Sequence, residues 1–332
     1  MRCPRSSLRA SLAISLLAAG LAAAGCRRVR DDRPLRLGYF PNVTHAQALV
    51  GVDDGTLAAA LGGRLETRMF NAGPAAMEAL LAGELDASYV GPGPAVIAYL
   101  RSRGEGLRVV AGGASGGAVL VVRDARGPED LVGKRVASPQ LGNTQDVALR
   151  IWLRANGLSD RPGPRGVEVT PLANSDILSM FARGDLAGAW VPEPWGARLV
   201  AEAGARILVD ERTLWEGGRF PTTLLVVSMR ALERRPQDVA ALLRAHVELT
   251  RRWEQDPRAF GKLANEGYGR RTGKPLAAGT VEDALSRIQP TTDPLAPQLA
   301  QMARNAQALG FAPAGDASGM VDGRLLAENA RR

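Results

Sequence analysis

Cysteine and histidine are almost absent from this sequence of 332 residues. Its two cysteines, Cys3 and Cys26, lie near the N-terminus, and its two histidines, His45 and His246, are far apart in the chain. The body of the chain therefore offers no disulfide, thiol nucleophile or thiolate metal site, and the distance between the histidines argues against a His-rich zinc site. We expect no metal and no cofactor.

Lysine is scarce relative to arginine. The sequence contains no compact basic stripe with interleaved aromatic residues. The formal net charge is +8, and removal of three N-terminal arginines with a leader would leave +5. A nucleic-acid-binding surface is therefore not predicted. The mild positive balance is compatible with an anionic ligand but identifies none.

One long apolar run, ASLAISLLAAGLAAAG at 10–25, follows the basic residues Arg2, Arg5 and Arg9. The run is short for a membrane span and ends in small residues, which is typical of a secretion signal. The protein is therefore expected to function outside the cytoplasm.

The residues at the end of this run, AAGC, resemble the cleavage box of bacterial lipoproteins, in which the cysteine is acylated and becomes the mature N-terminus. This resemblance implies a lipoprotein signal peptide at 1–26, a lipidated Cys26 and a periplasmic or cell-surface protein anchored to the membrane. The alternative is an ordinary signal peptide cleaved near Ala24, with Cys26 incidental.

An internal repeat is visible, because GELDASYVGPGP at 83–94 matches GDLAGAWVPEPW at 184–195. Each copy follows an apolar-periodic segment, at 74–82 or 175–183, that predicts a helix. The first glycine of each copy then falls where a helix C-terminus favours glycine.

The repeat extends upstream of these segments. Strands are predicted at 35–40 and 134–138, and each is followed by a polar loop, at 41–45 or 139–145, and then by a helix. Alternating strands and helices indicate parallel sheets with helical crossovers. The chain is therefore predicted to form two similar α/β lobes, although any two α/β segments share some of this pattern.

Two apolar, β-branched segments, 118–123 and 222–228, are predicted to be buried strands that connect the lobes. The C-terminal third is predicted to be mostly helical, with a long amphipathic helix at 236–256, and to pack back onto the first lobe. The predicted organisation is a discontinuous first lobe at 34–117 and 229–332 and a second lobe at 118–228.

Ligands of open α/β sheets bind at the carboxyl ends of the strands. The loops predicted at those ends are mostly small, polar and uncharged, and several precede helices, whose free N–H groups and dipole favour an anion. Because they contain no cluster of Arg or Lys, they suit an oxyanion such as a sulfonate. Alternatively, Asn, Thr and Gly are simply good turn and cap residues. The loops are 41–45, 71–74, 91–94, 140–145, 174–175 and 192–195.

The segment WVPEPW at 190–195 holds a lone glutamate between two prolines and two tryptophans. The prolines restrict the backbone, so the segment predicts a strand that ends in a stiff loop. We expect Glu193 to point into the cleft between the lobes, where it could pair with a ligand ammonium while Trp190 or Trp195 packs on an organic tail. The alternative is an exposed loop carboxylate beside core tryptophans.

The segment GASGG at 113–117 matches the G-x-S-x-G pattern of hydrolase nucleophiles. That chemistry requires a strand–Ser–helix turn with Asp and His downstream, whereas Ser115 is followed by two glycines and a predicted strand. An enzyme is therefore not predicted, and Ser115 is expected to lie in the cleft near the hinge or in a plain loop.

The segments 35–51, 70–95, 139–153 and 189–195 together resemble the solute-binding proteins of bacterial ABC importers in the nitrate/sulfonate/taurine group. The resemblance covers about 35–260. It implies a two-lobed type II periplasmic-binding-protein fold, with hinge strands, a helical C-terminal region and lobe closure on a ligand. It also implies ligand contacts from the loops, at Asn42, Thr44, His45, Asn71, Gly73, Gly91, Ser115, Gln140, Asn143, Thr144, Trp190 and Glu193.

The function that this resemblance implies is extracytoplasmic binding of a small organic oxyanion and its delivery to a membrane permease with its ATPase. An aliphatic sulfonate or a taurine-like ligand is favoured; in taurine-binding relatives a carboxylate near the last loop meets the amine, which suits Glu193. The alternatives are a thiamine-precursor pyrimidine or another aromatic heterocycle, and then nitrate, whose binders rely on basic contacts that these loops lack. We expect a monomer.

Overall fold

Two β-sheets organise the chain, which the computed structural model describes from residue 33 to residue 329. The strands are β1 (Leu35–Tyr39), β2 (Leu65–Met69), β3 (Ala87–Val90), β4 (Leu107–Gly116), β5 (Ala118–Val122), β6 (Arg135–Pro139), β7 (Glu168–Leu172), β8 (Gly188–Pro192), β9 (Arg206–Asp210), β10 (Pro221–Ser228) and β11 (Ile288–Pro290). The six-stranded sheet has the order β2-β1-β3-β10-β4-β11, and the five-stranded sheet has the order β7-β6-β8-β5-β9.

Helices cover both sheets. They are α1 (Ala46–Asp53), α2 (Thr56–Ala60), α3 (Gly73–Ala82), α4 (Pro92–Arg101), α5 (Thr144–Ala155), α6 (Asn174–Arg183), α7 (Trp195–Ala203), α8 (Met229–Arg234), α9 (Pro236–Gln255), α10 (Pro257–Thr272), α11 (Ala278–Ser286), α12 (Ala296–Ala308) and α13 (Gly323–Asn329). Helices α5, α6 and α7 pack on the five-stranded sheet and form the second lobe with it. The other helices and the six-stranded sheet form the first lobe.

The two lobes repeat one strand arrangement. Strand β1 is parallel to β2 and β3, and β6 is parallel to β7 and β8. The third strand of each set then pairs with an antiparallel strand, β10 in the first lobe and β5 in the second. The predictions of an internal repeat and of a two-lobed α/β fold are therefore confirmed.

Glycine ends the repeated helices as predicted. Gly83 and Gly184 follow α3 and α6 with φ of 80° and 86°, in the left-handed region that only glycine adopts without strain. Each turn leads the chain into the next parallel strand. In β1 and β2, Tyr39 lies opposite Met69, so these two strands end at the same edge of the first sheet.

One connecting strand belongs to a different lobe than predicted. The sequence predicts 222–228 as a connecting strand at the end of the second lobe, but β10 pairs with β3 and β4 in the centre of the six-stranded sheet. Strand β5 does enter the second sheet, where it pairs with β8 and β9. Each lobe thus receives its antiparallel strand just after the chain has crossed from the other lobe.

The C-terminal region packs onto the first sheet through contacts at Gly112 of β4. The Gly112 N–H donates to the Thr292 carbonyl at 2.8 Å, and the Gly112 carbonyl lies 2.7 Å from His246 Nε2. His246 Nδ1 lies 2.9 Å from the Tyr89 hydroxyl, and burial lowers the His246 pKa to about 4. His246 is therefore a neutral, buried bridge between α9 and the sheet.

The predicted signal peptide at 1–26 and the lipidation site Cys26 lie outside the described residues. Between residues 33 and 329, no helix combines the length and apolar character that crossing a bilayer requires.

Substitution Gly112→Ala tests the packing of the C-terminal region. A Cβ at this position would collide with the backbone carbonyl of Asp293, which cannot rotate away as a side chain could. We expect a loss of about 1–3 kcal/mol in the free energy of unfolding, measured by urea denaturation. Gly127→Ala is the matched control, because a Cβ there meets nothing within 4 Å. Equal stability of both variants would contradict the packing described here.

Candidate ligand-binding cleft

A polar cavity lies between the two lobes, where the loops after β1, β2 and β3 face the N-termini of α5 and α6. Its walls come from both lobes and consist mainly of amide, hydroxyl and backbone groups. The lining residues are Phe40, Asn42, Thr44, His45, Asn71, Ala72, Gly91, Asn143, Thr144, Gln145, Asn174, Pro192 and Thr222. Seven of the residues proposed from sequence are among them: Asn42, Thr44, His45, Asn71, Gly91, Asn143 and Thr144.

Helix N-termini surround this cavity. Helix α4 begins at Pro92, directly after Gly91, where the sequence predicted a loop, and α5 begins at Thr144, two residues earlier than predicted. Asn143 caps α5, because its Oδ1 accepts the Thr144 N–H at 2.9 Å. Helix α6 begins at Asn174. The positive ends of these dipoles therefore meet at the cavity and favour an anion.

None of the described residues that line the cavity is Arg, Lys, Asp or Glu. His45 is also uncharged at neutral pH, because burial lowers its pKa to about 3. Its Nδ1 accepts the Phe40 N–H at 3.4 Å, which leaves the proton of the neutral ring on Nε2. The walls thus present neutral donors and acceptors without a formal charge of either sign.

The lobes touch each other at the rim of the cavity. The Gly93 N–H of the first lobe donates to Thr144 Oγ1 of the second at 3.1 Å. Trp195 Nε1 of the second lobe donates to Asn42 Oδ1 of the first at 3.1 Å. The cavity volume is only about 20 Å³, little more than the roughly 10–15 Å³ that one water occupies by this measure. A ligand of several atoms therefore enters only while the lobes are apart, and the cavity walls must move outward slightly to hold it after closure.

Glu193 does not line this cavity, in contrast to the prediction. Its carboxylate is fully buried and accepts the Arg287 Nε–H at 2.6 Å and the Ala197 N–H at 2.9 Å. Burial raises the Glu193 pKa, and the charge of Arg287 and the Ala197 N–H offset part of that rise. Arg287 lies in the C-terminal region and is also bound by Asp283. The ion pair therefore joins the second lobe to the first.

Trp190 is likewise buried in the core of the second lobe. Its ring meets Trp152 edge-on with centroids 6.0 Å apart, and its Nε1 donates to Glu211 Oε2 at 2.8 Å. Burial raises the Glu211 pKa to about 7, and the hydrogen bond from Trp190 opposes that rise. The strand β8 turns Trp190 away from the cleft, so the expected contact with an organic tail is wrong for this residue. Trp195, the other tryptophan, reaches the rim instead.

Three other predicted residues also lie outside the cavity. Ser115 is buried in β4, where its Oγ accepts the Phe220 N–H at 3.3 Å. Gly73 packs so closely on Pro94 that a Cβ would collide with the proline ring. Gln140 lines a neighbouring cavity between the lobes. These residues shape the surroundings of the cleft rather than its walls.

Several lining residues were not among the predicted contacts. Gln145 and Asn174 belong to loops that the sequence predicts at the ends of strands, and this strand-end position is the signal for them. Phe40 and Pro192 end strands in the same way. Thr222 had no such signal, because it lies in an apolar strand, where its hydroxyl donates to the Gly116 carbonyl. Only the placement of β10 in the first sheet brings it to the cleft.

A comparison of the chain with known proteins identifies a family whose profile matches most of its sequence. The profile of the NMT1-like family matches residues 29–265. The taurine-binding periplasmic protein of Escherichia coli K12 is 27% identical over 228 residues, which cover 65% of this chain and 68% of that protein.

Solved structures share the fold. The alkanesulfonate-binding protein SsuA of Xanthomonas axonopodis pv. citri, bound to MOPS, superposes with a TM-score of 0.69 at 22% identity, covering 91% of this chain and 98% of that one. The periplasmic nitrate-binding protein NrtA of Synechocystis PCC 6803 gives 0.75 at 14% identity, covering 91% and 89%. The predicted periplasmic-binding-protein fold is therefore confirmed.

Substitution Gly93→Ala tests whether closure of the lobes matters for binding. A Cβ on Gly93 would lie 2.9 Å from Thr144 Cα and 3.0 Å from Thr144 N, so the lobes could not approach as closely. A cost of about 1–3 kcal/mol in the closed form corresponds to an affinity loss of about 5- to 150-fold, measurable by calorimetry. Gly279→Ala, in open space on α11, is the control. An unchanged affinity in Gly93→Ala would show that the closed contact is dispensable.

Proposed function

Because the chain belongs to the NMT1-like family, with relatives that bind nitrate, sulfonates and taurine, we propose that it is the solute-binding component of an ABC importer for a small organic oxyanion. An aliphatic sulfonate is the ligand that we favour. The ligand would enter the open cleft, and the lobes would close over it.

The neutral, donor-lined cavity carries this proposal. An oxyanion spreads its charge over several oxygens, each of which can accept from a different amide, hydroxyl or backbone N–H. Asn42, Thr44, Asn143 and Thr144 supply such groups from both lobes, and the helix dipoles supply a positive potential without a full positive charge. Closure then replaces water around the anion with fixed donors.

The surroundings of Glu193 favour a plain sulfonate over an amino-sulfonate. An ammonium group gains from a facing carboxylate, and the carboxylate expected for this role is bound by Arg287 instead. No acidic side chain replaces it among the described residues of the cavity wall. The same wall offers no Arg or Lys, which makes nitrate a weaker candidate than an organic oxyanion.

Delivery to a permease and its ATPase is part of the proposal, and the periplasmic location of the taurine-binding relative supports it. So does the secretion signal predicted at 1–26, which would place the protein on the outer side of the cytoplasmic membrane. A lipid on Cys26 would hold it there as a monomer close to its permease.

Thermal unfolding of the purified protein against a ligand panel tests the function. The panel contains methanesulfonate, ethanesulfonate, taurine, nitrate, sulfate, hydroxymethylpyrimidine and thiamine. A ligand at a hundredfold its Kd stabilises the native state by about 2.7 kcal/mol, which raises Tm by several degrees at most for a chain of this length. We expect this rise with the alkanesulfonates. A rise in Tm with the pyrimidine compounds alone would contradict the oxyanion proposal, and only the assignment of the fold would remain supported.

A further inference from the structure

The wall of the polar cavity contains six amide or imidazole side chains, each of which could present either a donor or an acceptor to a ligand. An amide carries an oxygen and an NH2 group, and a neutral imidazole carries one bare nitrogen and one N–H. The atom that each side chain presents decides whether the wall attracts an anion or repels it. The six are Asn42, His45, Asn71, Asn143, Gln145 and Asn174.

Three of the six have their acceptor atom bound by an N–H among residues 33–329. Two of these bonds are local. Asn143 Oδ1 accepts the Thr144 N–H at 2.9 Å, and His45 Nδ1 accepts the Phe40 N–H at 3.4 Å. A backbone N–H can only donate, so it fixes which atom of the side chain faces it. Asn143 and His45 therefore keep an N–H group for a ligand whether the lobes are open or closed.

Asn42 differs from these two, because the donor that binds its oxygen comes from the other lobe. Trp195 Nε1 of the second lobe donates to Asn42 Oδ1 at 3.1 Å, and an indole N–H is also a donor only. The backbone of Asn42 is fixed within the first lobe, where its N–H donates to the Phe40 carbonyl and its carbonyl accepts the His45 N–H. The side-chain amide alone is free to rotate when the lobes part, and closure leaves its NH2 group for the ligand.

The indole of Trp195 is held in its orientation by its own helix, α7. The guanidinium of Arg198 lies over the ring, 4.7 Å from its centroid, in a cation–π contact. Arg198 in turn donates to both carboxylate oxygens of Glu202, at 2.7 Å and 3.0 Å. Because these three residues share one helix, the stack does not depend on closure. The Trp195 N–H is therefore in place before Asn42 reaches it.

We propose that Trp195 is a positioning residue of the anion site: its indole N–H occupies the amide oxygen of Asn42 when the lobes close, so that Asn42 offers only donors to the ligand. This inference rests on the proposed function. It makes closure itself selective for a ligand group that accepts hydrogen bonds. A group that donates would find no acceptor at Asn42, and its own N–H would stay unpaired in the closed cavity.

Two ligands with the same tail test this role. Ethanesulfonate has three acceptor oxygens, whereas in ethanesulfonamide an NH2 donor replaces one of them. Dissociation constants are measured by calorimetry, for the sulfonamide by displacement of ethanesulfonate. We expect the parent protein to bind the sulfonate at least about a hundredfold more tightly, because the sulfonate is charged and makes only accepting contacts.

Substitution Trp195→Phe keeps an aromatic ring under Arg198 and removes only the N–H. The Asn42 amide can then turn its oxygen toward a donor on the ligand. We expect the ratio of sulfonate to sulfonamide affinity to fall at least about fivefold, the equivalent of one hydrogen bond of ordinary strength. Loss of a contact between the lobes would weaken both ligands by the same factor and would leave this ratio unchanged.

Two further variants locate the effect. In an Asn42→Ala background there is no amide to turn, so the addition of Trp195→Phe should leave the ratio unchanged, which makes the four proteins a double-mutant cycle. Trp253→Phe is the matched control. Trp253 stacks on Phe260 within the first lobe, with ring centroids 5.5 Å apart, and does not line the cavity. It should keep the parent ratio.

The outcomes separate this inference from the proposed function. If Trp195→Phe leaves the ratio unchanged, Trp195 is at most a contact between the lobes, and the inference is wrong while the oxyanion function stands. If the ratio shifts equally in the Asn42→Ala background, Trp195 acts through another group, and the inference is again wrong. If the parent protein binds no sulfonate, both the inference and the proposed function fail.

Discussion

The buried ion pair between Glu193 and Arg287 is the interaction on which the cleft depends. A carboxylate taken out of water needs a partner, and Arg287 provides one across the junction between the second lobe and the C-terminal region. The Glu193 N–H donates at 2.9 Å to the carbonyl of Gly117, where the chain crosses between the sheets. The ion pair thus fixes the segment after β8 at the point where the chain crosses between the sheets. It also keeps the carboxylate of Glu193 out of the cavity.

A neutral cavity follows from this arrangement. Because Glu193 is bound elsewhere and His45 is neutral, oriented dipoles rather than charges set the potential inside the cleft. Neutral donors hold an anion less tightly than arginine would, and they release it more readily when the lobes part. That balance suits the proposed role of passing the ligand on to a permease, in which the contact between Gly93 and Thr144 would form when the lobes close.

Local patterns in the sequence predicted the fold and many of the residues that line the cavity, because strand periodicity, helix signals and the repeat are local properties. The rule that ligands meet strand ends identified Asn42 and Thr144 correctly as lining residues. The errors concern distant partners. The position of the Glu193 side chain depends on its ion pair with Arg287. Arg287 lies 94 positions away, in a region that the repeat does not include. The direction of Trp190 depends on strand register, which the sequence alone does not reveal.

The most direct test compares the affinities of Glu193→Gln and the parent protein for taurine and ethanesulfonate, which differ by the amine. If Glu193 serves as a structural partner of Arg287, the substitution lowers both affinities by the same factor and leaves their ratio unchanged. A selective loss of taurine binding, with ethanesulfonate binding preserved, would show that Glu193 contacts the ligand and would contradict this account.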